Sequence, residues 1–191
     1  MSKVPEKLKV IWDGKSFISL KKENPYWRAF LASGYGEDKG NFIELELAEV
    51  LHLIEKRKAS VRGKKGEFLD KNTLFSLADG KKDFWSKYLI YKDLRLKGYT
   101  VKLARKKPLV VHIYNRGVND VRVEKPVFSV LPAEAAKELK IADLDRAIEI
   151  CRELGTELII GIIDELGEVV YYNVFEEVLK LERDDNKKQI D

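Results

Sequence analysis

Cysteine and histidine are almost missing from this chain. One cysteine, Cys151, stands among 191 residues, so no internal disulfide and no cysteine-based zinc site can be built. Two histidines, His52 and His112, are too few for a three-histidine zinc centre. No run approaches the ~20 consecutive apolar residues that span a bilayer, and residues 1–9 lead into no apolar signal core. The expectation is a protein without metal, cofactor or membrane contact, residing in the cytoplasm. Glycine loops of the G-x-G-x-x-G and G-x-x-x-x-G-K-[ST] kinds do not occur, and Gly34-Tyr35-Gly36 is a lone G-x-G outside a strand–helix context. No serine sits in a G-x-S-x-G elbow.

Charge is what the chain has in abundance. Charged residues make up 36% of it, well above the roughly 25% of an average soluble protein. With one methionine and one glutamine beside them, the Lys and Glu content fits a thermophile composition. Lys plus Arg number 36 against 32 Asp plus Glu, a net charge of +4 that leans mildly toward nucleic acid. An apolar fraction of 45% is enough for a packed core.

Periodicity predicts a mixed α/β (α+β) chain. Residues 10–20 read as a hairpin turning at Asp13-Gly14. Residues 25–32 are open to a helical turn or an irregular connection. Residues 41–57 carry a helical apolar stripe, and 70–78 a shorter helix capped by Asp70 or Asn72. A polar, Gly-containing stretch at 79–83 marks a boundary. Residues 84–97 form a helix ended by Gly98, followed by strands at 99–103, 109–114 and 127–131. Helices are predicted at 132–139 and 141–154, then an apolar hairpin of 157–163 and 169–175. The expected division is a small α/β domain over 1–82, a second domain over 83–180 with a central mixed sheet flanked by helices, and a charged tail over 181–191.

Candidates for chemistry are few. Cys151 falls on the apolar side of a helix, where a thiol is inert. His52 lies between Leu51 and Leu53, a structural setting. His112 and Tyr114 share a strand face and could do acid–base work, or simply pack. Asp143/Asp145 and Asp184/Asp185 have no nearby histidine and read as solvated charge or helix-start charge. The basic run 102–107, with Arg105, Lys106 and Lys107, could follow a phosphate backbone or be a solvated loop.

Three stretches together resemble one family. Residues 88–102 (YLIYKDLRLKGYTVK) resemble the Y-x-V-Y-x-D-L-R-x-R-G-Y-x-V-K signature of archaeal tRNA-splicing endonucleases. Tyr35-Gly36 followed by 45–61 is similar to that family's N-terminal pattern, and 158–172 (LIIGIIDELGEVVYY) to its VVDEEGDITYY hairpin. The resemblance implies a nuclease-like C-terminal sheet and metal-free RNA cleavage, in which a 2′-hydroxyl attacks the adjacent phosphate. A tyrosine serves there as general base, a histidine as general acid and a lysine as stabiliser of the charged transition state. Carried onto this chain, the tyrosine position is Tyr114. The histidine position falls near Val123, where no histidine stands, and the lysine position falls at Thr156, beside Glu157. The catalytic set is therefore expected to be empty apart from Tyr114. That pattern implies a structural subunit of a heterotetramer, two such chains with two catalytic chains, acting on precursor tRNA at bulge–helix–bulge introns. Asp164, Glu165 and Glu168 match the acidic hairpin loop by which the family docks on a partner. The alternatives are a stand-alone RNA-binding module, or a ribonuclease with a rearranged His112/Tyr114 site.

Overall fold

A computed structural model describes residues 7–81, 83–115 and 118–174. The first sheet has strand order β3-β4-β2-β1-β5, built from β1 (Leu8–Trp12), β2 (Phe17–Leu20), β3 (Glu37–Asp38), β4 (Phe42–Leu45) and β5 (Ala59–Arg62). Its pairs are antiparallel except β1 with β5. The β1–β2 hairpin turns where expected: Asp13 Oδ1 accepts the N–H groups of Lys15 and Ser16 at 2.8 Å, and Gly14 takes φ +94°.

The stretch 41–57 departs from the expected single helix. It divides into β4 and a helix, α2 (Leu47–Glu55), after a short α1 (Trp27–Ala32). Ile43 and Leu45 are buried at strand spacing, with Phe42 and Glu44 half-buried between them. At Glu46 the period changes. Its side chain and that of Glu49 form a reciprocal capping box, with Glu49 Oε2 accepting the Glu46 N–H at 2.8 Å. Apolar residues two apart in a strand and four apart in a helix overlap in this run, which is why it reads as one helix. Further on, α3 (Lys71–Ser76) is capped by Asp70, whose Oδ1 accepts from Thr73 N at 2.8 Å and Oγ1 at 2.6 Å.

The second sheet has order β10-β9-β8-β7-β6: β6 (Thr100–Leu103), β7 (Val111–Tyr114), β8 (Phe128–Glu134), β9 (Glu157–Ile163) and β10 (Val169–Asn173). Only β8 with β9 is parallel, bridged by the crossover helix α5 (Ile141–Leu154). The predicted helix at 132–139 is corrected here, because β8 continues through Pro132 to Glu134. Val130 turns its carbonyl toward Val110, and β7 pairing ends there. Pro132, two residues on, lacks its N–H on that same open side and costs the ladder nothing. Residues 175–180 of the expected second domain and the tail at 181–191 lie outside the described residues.

The helix α4 (Phe84–Leu96) joins the two sheets. Its Tyr88, Ile90, Tyr91 and Leu94 are buried in one apolar cluster with Val10, Ile43 and Leu51 on one side and Val111, Val130 and Ile159 on the other. Gly161 lets the helix approach: a Cβ there would lie 3.1 Å from Ile90 Cδ1. The residues of the 88–102 signature act as ties. Arg95 donates to Ser33 O at 2.9 Å and Val101 O at 2.6 Å, and its guanidinium lies 4.2 Å over the Tyr35 ring. Asp93 accepts from the Tyr171 hydroxyl at 2.7 Å, which anchors β10. On the opposite face of the second sheet, α5 covers Leu109, Leu131 and Leu158 with Ala147, Ile150 and Cys151. No helix among the described residues is long and apolar enough to cross a membrane.

Candidate functional site

The face of the second sheet that α5 packs on also carries a polar row across three strands, half-buried at Lys102 and His112 and buried at Ser129. Antiparallel register pairs Lys102 of β6 with His112 of β7, and His112 with Ser129 of β8. Paired residues share a face with their Cβ atoms about 5 Å apart. His112 Nδ1 and Ser129 Oγ are 2.8 Å apart, and Ser129 Oγ lies 3.0 Å from Thr156 Oγ1. Burial, with the Lys102 charge, holds the His112 pKa below its usual value, so the ring is neutral at pH 7. Tyr114, paired with Thr100, lies on the same face as His112 but is 6% exposed, and burial raises its phenol pKa.

The two positions at which the resemblance leads one to expect a histidine and a lysine, near Val123 and at Thr156, carry neither side chain. Thr156 uses its hydroxyl on Ser129, and its N–H bonds Cys151 O at 2.9 Å. Glu157 opens β9 with an exposed side chain. Val123 is 81% exposed on a turn that Val121 anchors to Ala32 O at 3.0 Å. Beside it, Arg122 clamps Asp120 through its side chain and backbone N–H, which pushes the Asp120 pKa down to about 2. His52 is remote from this face. It is 3% exposed on α2 between Tyr35 and Tyr91, and burial lowers its pKa to about 4.

The basic loop between β6 and β7 is held within the chain. Arg105 pairs with Glu37 at 2.5 Å, Lys106 with Glu153 at 2.6 Å, and Lys107 with Asp83 at 3.8 Å. Burial pushes the Glu37 carboxyl up, and Lys39, Arg105 and Lys102 more than reverse it. Lys102, by contrast, forms no ion pair among the described residues. Reading the basic residues as one run hides this difference. Ser129 carries no motif at all, and strand register is the signal that finds both.

The acidic hairpin connects β9 to β10. Asp164 Oδ1 accepts the N–H groups of Leu166 at 2.9 Å and Glu168 at 2.8 Å, so this carboxylate shapes the turn. Glu165 and Glu168 are exposed, and Leu166 between them is 87% exposed. Strand β10 is a sheet edge whose outward Val170 and Tyr172 are 53% and 56% exposed. A cleft of about 940 Å³ between the two halves is lined by Phe17, Lys87, Lys102 and Arg105 among others, but by neither His112 nor Tyr114. No group of three or more His, Cys, Asp or Glu among the described residues is placed to hold a metal.

Known proteins share both halves. The tRNA intron endonuclease catalytic C-terminal domain matches residues 84–171, and the N-terminal domain of the same family matches 7–75. The chain is 34% identical over 141 residues to the tRNA-splicing endonuclease of Methanococcus vannielii, covering 73% of this chain and 78% of that protein. It is 34% identical over 143 residues to that of Pyrococcus furiosus, covering 74% and 80%.

Proposed function

The chain belongs to the tRNA intron endonuclease family, and within it we propose the role of a structural subunit that completes a splicing endonuclease without cutting RNA itself. The observation that carries this is the chemistry around Tyr114. The departing 5′-oxygen needs a proton donor, and no histidine stands near Val123. The only imidazole on that face, His112, is neutral, bonded to Ser129, and therefore poorly suited to donate as an acid. The transition state needs a fixed cation, and Thr156 supplies a hydroxyl. Tyr114 itself is buried, with its proton held more firmly than usual. Losing a general acid costs about 10²–10⁴-fold, and losing a preorganised charge about 10²–10³-fold.

The partner is a second chain of the family that carries the tyrosine, histidine and lysine, two of each forming a heterotetramer in the cytoplasm. Glu165 and Glu168 face its basic pocket on a turn that Asp164 shapes, and the units 1–82 and 83–180 frame the assembly on precursor tRNA. The test is co-expression with such a catalytic chain, followed by native mass measurement. A two-plus-two complex is expected. Failure of the pair to associate, with each chain folded, contradicts the role.

A further inference from the structure

We propose that Lys102 and His112 form an RNA-phosphate site, which, given the subunit role above, grips the precursor backbone without cleaving it. Lys102 is half-buried on β6 and lines the cleft between the two halves, and the carboxylates in its field are already engaged. Glu37 is held by Lys39 and Arg105, and Asp120 by Arg122. A half-buried lysine without a counter-charge gains most from an anion arriving from outside, because it is already partly stripped of water.

His112 supplies direction. Ser129 Oγ lies 2.8 Å from Nδ1 and 3.0 Å from Thr156 Oγ1; in the tautomer that takes Nδ1 as the acceptor, the ring proton sits on Nε2. An Nε2–H next to an ammonium suits a phosphodiester oxygen, and it does not suit a metal or another cation. The hydroxyl of Thr156 is the next polar group in this row, 3.0 Å from Ser129 Oγ. The neighbouring cations Arg105, Lys106 and Lys107 pair with Glu37, Glu153 and Asp83, whereas Lys102 has no ion-pair partner among the described residues, so Lys102 carries the contact. A phosphate contact of this kind supplies affinity and register without reading sequence.

The experiment uses the full chain, alone and assembled with its catalytic partner. Its probe is a bulge–helix–bulge RNA carrying 2′-deoxynucleotides at the scissile positions, titrated over a range of salt. Lys102→Gln is expected to weaken binding about tenfold and to lower the log–log salt slope by about one. His112→Gln, which keeps volume and a donor, is expected to weaken it about threefold with the slope nearly unchanged. Unchanged affinity and slope in Lys102→Gln overturns the site. Loss of assembly in Lys102→Gln, with the chain folded, overturns it too, since the face would then be a protein contact. Cleavage by the chain alone would sink the subunit role while leaving the phosphate contact measurable by the same titration.

Discussion

The basic loop between β6 and β7 and the acidic turn between β9 and β10 are both short, charged and exposed, yet they spend their charge differently. Each cation of the first loop meets a carboxylate of the same chain, on β3, on α5 and at the start of α4. In the second, Asp164 is used on backbone N–H groups, while Glu165 and Glu168 meet no cation among the described residues. A charge run is therefore a poor guide to a binding face. What matters is whether the fold has already supplied the counter-charge. By that measure the net charge of +4 conceals an acidic turn that meets no cation among the described residues, while the basic loop chiefly ties its own chain together.

The strongest way to break the comparison is to reverse the free charges. Glu165→Lys with Glu168→Lys is expected to weaken association with the proposed catalytic chain by more than ~100-fold, read by calorimetry, because like charges would then face the basic pocket proposed on that partner. A smaller effect separates shape from charge at Asp164. Asp164→Ala, which removes the acceptor of two N–H groups, should weaken association about tenfold, whereas Asp164→Asn should recover most of it. Equal losses in both variants would mean that the charge, not the turn, is what matters.

Salt gives a third, milder contrast. Raising ionic strength from about 0.1 M to about 1 M shortens the screening length from roughly 10 Å to roughly 3 Å. Subunit association should fall several-fold, while the thermal midpoint of the free chain should barely move. The smallest effects belong to the tied loop. Arg105→Gln or Lys107→Gln should each shift the midpoint by about 2 °C or less, as exposed ion pairs do. RNA affinity in these variants should stay within about twofold. A loss as large as that of Lys102→Gln would show that the loop's cations leave their partners for RNA.

Much of the fold is legible in the residues themselves. Asp13-Gly14 marks the first hairpin, Asp70 caps α3, and Gly98 and Gly155 end α4 and α5 in left-handed conformations. Two elements are misread for the same reason: local pattern does not reveal what lies beside a strand. Ile43 and Leu45 belong to β4 because β2 pairs with them, and Pro132 stays in β8 because β7 has already ended. The site shows the same limit. Tyr114, Thr156 and the missing histidine near Val123 follow from motif spacing. Lys102 beside His112, and Ser129 between His112 and Thr156, exist only once β6, β7 and β8 are in register.

The central claim is that this chain supports catalysis without performing it. Its most direct test is the rate of intron release from a precursor tRNA by the chain alone, by the catalytic chain alone, and by the two mixed in equal amounts. The account predicts no release by this chain alone and rapid release by the mixture. Release by this chain alone at the rate of the mixture would contradict it.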